Sequence, residues 1–224
     1  MAAPMEDIRR AARADAYENP RAELQRHVPP GARRVLDLGC ASGALGAALK
    51  ARGATVVGVE RDVTYATRAR ERLDEVVEAD LDTLDPAPLG AFDVLVAGDV
   101  LEHLADPWAV LRRFTAIVEP GGTVVVSLPN VRHWETLFAI AVQGTFPRRN
   151  EGVFDRTHLR WFTLHDAWSL VDQAGLAVEA VERRIRYRRV GSARETPAAR
   201  LIARVPGPRA FVTYQHVIRA RKPA

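Results

Sequence analysis

Carboxylates and imidazoles mark the chemistry open to this chain. Asp37 stands in the short apolar run Val35-Leu36-Asp37-Leu38, just ahead of a turn with Gly39 and Gly43. A carboxylate there would repel a phosphate and attract an ammonium group. Glu60 ends a second apolar run, 21 residues beyond Gly39. At a strand end, such an acid can accept hydrogen bonds from both hydroxyls of a ribose. His103, His133 and His158 titrate near neutrality, so each can take a proton at cellular pH. Asp155 is three residues from His158 and can orient it or raise its pKa.

The elements that position these groups read as an alternating α/β chain. Val35, Leu36 and Leu38 suit a buried parallel strand, and Ala44 to Leu49 reads as helix. Strand, glycine turn and helix form the first unit of a nucleotide-binding sheet, with glycines where the backbone turns sharply. The dinucleotide fingerprint is a poor match, because Ala41 and Ala44 stand where its later glycines belong. S-adenosylmethionine has no phosphate and carries an ammonium and a sulfonium, which suits Asp37.

The stretch V-L-D-L-G-C-A-S-G, residues 35–43, resembles the first motif of class I S-adenosylmethionine-dependent methyltransferases. That family usually has glycine where this chain has Ala41. The resemblance covers about residues 17–188. It implies a Rossmann-like seven-stranded fold with helices on both faces. It implies a cofactor seat of Asp37, Gly39, Cys40, Ala41 and Gly43, with Glu60 and Arg61 at the ribose. Asp80 and Leu81 would meet the adenine, Gly98 and Asp99 would lie beside the sulfonium, and Tyr17 and Arg21 would meet the donor's carboxylate. Cys40 is read as packing within the turn. S-adenosylhomocysteine would be the product. The segments Ser127-Leu-Pro-Asn130, His133-Trp134 and Asp155 to Arg160 are also similar to a broad subgroup with MetW-like proteins and glycan or natural-product methyltransferases.

Along the chain, residues 5–17 and Arg21 to His27 read as helices, interrupted at Asn19-Pro20. Residues 1–30 are expected to form a helical cap on a domain of residues 31–224. Strands are expected at Thr55 to Glu60, Glu75 to Ala79 near an edge, Phe92 to Gly98 and Thr123 to Leu128. Glu119-Pro-Gly-Gly122 reads as a turn. Helices are expected at Asp62 to Leu73, from Pro107 onward, and over Thr163 to Ala174 with Thr163 and Asp166 as a capping box. Leu176 to Arg188 and Ala210 to Arg221 read as a final antiparallel pair, with a helix between them near Pro197 to Val205. The insertion after the fifth strand, about residues 131–160, sits where a substrate lid belongs; His133, Trp134, Arg156 and Arg160 are its candidate substrate contacts.

Methyl transfer from a sulfonium is an in-line displacement that needs donor and acceptor held close to collinear. A hydroxyl acceptor also needs a base. His158 with Asp155 is the first choice, His103 the second, and His133 the third. Asp99, Glu102 and His103 share a helical face at i, i+3 and i+4. Some quinone-pathway O-methyltransferases bind a divalent ion with a similar set. The reading adopted is no metal, with Glu102 paired to an arginine and His103 in the pocket wall.

Composition narrows the function classes. The chain has 224 residues, one cysteine and a net charge of +4. One cysteine excludes an internal disulfide and a thiolate cluster. No run of about 18 apolar residues suggests a membrane span, and the first residues lack a signal peptide's apolar core. A cytoplasmic protein without a membrane partner is expected. Positive charge gathers at Arg183, Arg184, Arg186, Arg188 and Arg189, and again at Arg219, Arg221 and Lys222. A solvated strand face accounts for it better than a nucleic-acid site. The expected partner is a small-molecule acceptor, most simply a hydroxyl in a sugar, glycan or natural-product pathway. Transfer to nitrogen or carbon, a MetW-like role in methionine biosynthesis, a non-catalytic regulator, an RNA methyltransferase and a homodimer stay open.

Overall fold

The computed structural model describes residues 17–185 and 201–224. The expected helix over residues 5–17 lies almost wholly outside them, as does the strand beyond Ile185. Seven strands form one sheet: β1 (Arg34–Leu38), β2 (Thr55–Glu60), β3 (Glu75–Glu78), β4 (Phe92–Gly98), β5 (Val118–Pro129), β6 (Ala177–Ile185) and β7 (Thr213–Arg221). Their spatial order is β3-β2-β1-β4-β5-β7-β6, and β7 runs antiparallel to both neighbours. β3 is an edge strand, which fits its half-exposed sequence.

Side-chain alternation divides the core between the two faces of the sheet. Leu36, Leu95, Val124 and Ile218 point to one face, where α4 (Pro107–Ala116) brings Leu111 and Phe114 and α6 (Leu164–Gln173) brings Leu170 and Val171. Val35, Val56, Val94, Val125 and Val217 point to the other. There α1 (Ala22–Gln25) contributes Leu24, α2 (Ala44–Lys50) contributes Leu45 and Leu49, and α3 (Val63–Arg70) contributes Ala69. A parallel sheet covered on both sides needs apolar residues at consecutive positions, which is why its strands read as continuous runs.

Helix ends follow local chemistry. Asp62 caps α3 by accepting from Thr64 N–H at 2.8 Å, and Asp106 caps α4 through Ala109 N–H at 3.0 Å. Thr163 and Asp166 form the full capping box of α6. Gly175, at φ 77°, follows α6 in the left-handed conformation that closes many helices.

Three local readings change. Residues 119–122 are not a turn before β5 but an irregularity inside it, where pairing with β4 slips between Phe92↔Val118 and Val94↔Thr123. Residues 210–212 belong to a short helix, α7 (Arg209–Val212), and β7 begins at Thr213. Helix α3 stops at Arg70, short of the expected Leu73.

Strand order reverses between β1 and β4, so the connections that leave their paired carboxyl ends run apart and open a crevice. The connection from β5 to α6 runs over this end of the sheet and carries α5 (Trp134–Ala141).

Candidate active site

A cleft of about 740 Å³ occupies that crevice. Its floor is the β1 turn. Gly39 has φ 66°, and a Cβ there would stand 2.6 Å from Val100 Cγ2, so only glycine lets the two loops pass. Ala41 takes φ 48°, a left-handed conformation that strains an L side chain. The family's usual glycine removes that strain. Ser42, fully buried and not singled out in the sequence, donates to the Tyr17 carbonyl at 2.5 Å and ties the leading segment to the turn.

Asp37 is 3% exposed, and its Oδ2 has no hydrogen-bond partner. Burial pushes its pKa up from 3.8 to about 7, Arg21 opposes the rise and Glu60 adds to it. A buried carboxylate without a cation is costly. Among the described residues no cation pairs with its Oδ2.

Arg21 reaches the cleft from the leading segment at φ 52°. It donates from Nε to Glu23 at 2.6 Å, and from Nη2 to Asp99 at 2.9 Å and to Ser127 Oγ at 3.2 Å. Asp99, itself at φ 52°, also accepts from Ser127 Oγ at 2.7 Å and from Gln215 Nε2 at 2.7 Å on each oxygen. Burial works against its charge, but Arg21, Ser127 and Gln215 hold the Asp99 carboxyl below the usual range. Burial likewise opposes charge on Arg21, and Asp99 and Glu23 outweigh it. Four distant segments are locked together here. A Cβ on Gly98 would stand 2.7 Å from Leu24 Cδ1, so α1 also packs directly on the end of β4.

Glu60 ends β2 as expected. Its two oxygens accept from Ala41 N–H at 3.0 Å and from Asp62 N–H at 2.8 Å. Lone pairs remain for further donors. Asp80 lies on a second, shallow cavity with Arg61, Asp62, Glu78 and Ala79, and its Oδ1 accepts from Asp82 N–H at 2.9 Å. Leu81 is buried beside it. Cys40 packs on Gly58, and burial raises its thiol pKa strongly, so it is inert filling.

Beyond Gly98 the cleft meets a cluster absent from any one stretch of sequence. The post-strand segment is a single 3-10 turn, Leu101–His103. Glu102 is 1% exposed, and neither of its oxygens has a partner. The arginine expected beside it is absent among the described residues, and burial, then Asp99, raises its pKa well above normal. His158 Nε2 approaches Glu102 Oε1 to 3.9 Å. The His103 and His158 rings stand edge to face at 4.7 Å. Burial lowers both imidazole pKa values, and His103 lowers that of His158 further.

Hydrogen bonds fix both tautomers. Thr157 Oγ1 donates to Asp155 Oδ1 at 2.6 Å, so toward His103 Nδ1, at 3.0 Å, it can only accept. His158 Nδ1 faces the Val153 carbonyl at 3.3 Å. Both rings therefore carry hydrogen on Nδ1 and a lone pair on Nε2. Asp155 orients His103 through Thr157. Its effect on His158, the expected partner, is a coulombic rise in pKa.

His133 lines the cleft at the start of α5, as do Glu135 and Thr136. Trp134, Arg156 and Arg160 are not among the lining residues; Arg160 instead bonds the Ala105 and Leu159 carbonyls. The sequence reading missed Arg149, Asn150, Glu151, Tyr214 and Gln215, all on the cleft wall.

Comparison with known proteins agrees with this architecture. The family model described as a methyltransferase domain matches residues 8–181. A ubiquinone biosynthesis O-methyltransferase of Bradyrhizobium diazoefficiens is 35% identical over 118 residues, 51% of this chain and 46% of that protein. The chain spans about half the length of the curated relatives it matches. An S-adenosylmethionine-dependent methyltransferase from Mesorhizobium loti superposes with a TM-score of 0.61 at 19% identity, covering 89% of this chain and 96% of that one. Magnesium protoporphyrin IX methyltransferase from Synechocystis, solved with S-adenosylhomocysteine, gives a TM-score of 0.61 at 15% identity, covering 96% and 84%.

Proposed function

Because the chain belongs to the methyltransferase domain family, we propose that it transfers the methyl group of S-adenosylmethionine to a hydroxyl of a small molecule. The acceptor belongs to a sugar, glycan or other natural-product pathway. The observation that carries this reading is the unpartnered, buried Asp37 at the foot of a cleft whose far end holds two neutral imidazoles. The donor's ammonium pairs with Asp37. Its carboxylate meets Tyr17 and Arg21, whose Nη1 takes no part in the Glu23 and Asp99 contacts. Glu60 and Arg61 serve the ribose, and Asp80 and Leu81 the adenine. Gly98 and Asp99 flank the sulfonium.

The acceptor enters beneath residues 131–160, which act as its lid, and His133 contacts it. Its oxygen attacks the methyl carbon in line, the carbon–sulfur bond breaks, and the hydroxyl proton passes to His158 Nε2. Thr157 and Asp155 hold His103 beside it. Donor affinity and chemistry are tested separately. Calorimetry should show micromolar binding of S-adenosylmethionine. A screen with methyl-labelled donor should place label on oxygen, and the His158→Ala, His103→Ala double variant should lose turnover while still binding donor. No donor binding by the purified chain would defeat the proposal.

Transfer to an amine is the second reading. Glu135, Glu151 and Asp155 all line the cleft, where Arg149 is the arginine on the lid side. That balance favours a cationic acceptor, and label on nitrogen would establish it.

A further inference from the structure

The lid side of the cleft carries an arginine left without a counter-charge among the described residues. Arg149 lies on the cleft wall. Among the described residues its guanidinium forms no ion pair and donates no hydrogen bond; it lies over the Phe154 ring, 5.0 Å from the centroid. The arginines near it are committed: Arg148 donates to the Arg156 carbonyl, and Arg160 to the Leu159 and Ala105 carbonyls. The carboxylates of the cleft are placed elsewhere. Asp155 accepts from Thr157 N–H at 2.8 Å and from Thr157 Oγ1 at 2.6 Å, Glu135 Oε2 stands 3.9 Å from His133 Nδ1, and Glu151 is exposed.

Arg149 is also held in place. Its N–H donates to the Phe154 carbonyl at 2.8 Å, its carbonyl accepts from Arg156 N–H at 2.9 Å, and between them Gly152, at φ 73°, turns the chain. Phe154 is 3% exposed and is braced edge-on by Phe146 at 5.1 Å. An arginine fixed by its backbone and by a ring loses little freedom on binding, so its N–H donors are preorganised for an oxyanion. A second group on this wall lacks a partner. Thr136, on α5, lines the cleft at 1% exposure, and its Oγ1 has no hydrogen bond among the described residues. Buried hydroxyls are nearly always hydrogen-bonded, so this one is a seat for a ligand oxygen.

We propose that Arg149 selects the acceptor: it pairs with an anionic group, a carboxylate or a phosphate, set apart from the hydroxyl that is methylated, while Thr136 Oγ1 hydrogen-bonds another oxygen of the same molecule. A planar guanidinium meets either oxyanion with two parallel N–H···O bonds. The substrate class is an acidic hydroxy compound, such as a sugar acid or a sugar phosphate. This assignment rests on the methyl-transfer reading and narrows it. It runs against transfer to an amine, because Arg149 repels a cationic acceptor.

The test uses the full chain saturated with S-adenosylhomocysteine and probes built on one ring: glucose, glucuronate, glucose 6-phosphate and glucosamine. Calorimetry should show glucuronate or glucose 6-phosphate binding about tenfold or more tighter than glucose, with glucosamine weakest. Which acid binds separates carboxylate from phosphate. Arg149→Gln should erase that margin, and Arg148→Gln, the same charge change outside the cleft lining, should keep it. Thr136→Val should weaken every bound probe by about threefold or more. Equal S-adenosylhomocysteine affinity in the variants and the wild type checks their folding. No binding of either acid, tighter binding of glucosamine, full affinity in Thr136→Val, or a margin that survives Arg149→Gln or vanishes equally in Arg148→Gln would overturn the assignment. The loading step reports on the methyltransferase reading by itself: a chain that takes S-adenosylhomocysteine yet shows no preference for the acids sinks this inference and leaves that reading standing.

Discussion

Replacing Asp37 with asparagine should strengthen the ligand-free protein while disabling it. The Asp37 pKa rises from 3.8 to about 7 in the folded chain. The folded state therefore holds a proton that the unfolded state releases between those values. Stability falls as pH climbs through that window and is level above it. At about 1.4 kcal/mol per pH unit, the full cost of the charge at pH 8 is ~4 kcal/mol. The substituted amide avoids that cost but leaves polar atoms where Oδ2 finds no partner, which returns about 1–3 kcal/mol. The net expectation is a gain of ~1–3 kcal/mol at pH 8, or roughly 2–12 °C in melting temperature for a chain of this size. The gain should shrink toward zero near pH 5. Donor affinity should drop about 10- to 100-fold, the value of one buried charged hydrogen bond. In the wild type, affinity should weaken as pH falls below about 7, because the protonated carboxyl no longer attracts the ammonium. Melts of ligand-free protein and calorimetric titrations at pH 5.5 and 8 measure both effects. A variant less stable than wild type at pH 8, or one that binds donor normally, would refute the reasoning.

Other residues give independent checks. Ala41→Gly relieves a left-handed alanine at φ 48°, worth ~1–2 kcal/mol, against ~0.5–1 kcal/mol of added chain entropy; melting should show a net gain of up to about 1.5 kcal/mol. Gln215→Leu removes both of its bonds to Asp99 and loosens Arg21, so KM for the donor should rise about tenfold with kcat little changed. Thr163→Ala breaks the capping box of α6 and should cost ~1 kcal/mol in denaturant unfolding without altering donor affinity.

The part of the cleft built by β1, its turn and the end of β2 was legible because it is local. Asp37, Gly39 and Gly43 fall within one strand, turn and helix, and Glu60 ends the neighbouring strand, so spacing alone brings them together. Residue types and periodicity also marked β2 and β4 to the residue, since a sheet buried on both faces writes itself as unbroken apolar runs. The rest of the cleft was hidden because it is assembled over long separations. Asp99 meets Arg21, Ser127 and Gln215 only through the strand order β4-β5-β7. Gln215 looked like an ordinary strand residue. Glu102 was expected beside an arginine, but the segment folds as one 3-10 turn and buries its carboxylate against His158, from a loop far along the chain. The irregularity within β5 escaped because Glu119-Pro-Gly-Gly122 has turn composition, while its ends are held by Phe92 and Val94 of β4.

Titration of the purified chain with S-adenosylmethionine, alongside NAD and ATP, tests the central claim most directly. One molecule of the sulfonium donor should bind per chain in the micromolar range, competed by S-adenosylhomocysteine, while neither phosphate-bearing nucleotide binds. A chain that ignores the donor, or prefers either nucleotide, would contradict the account.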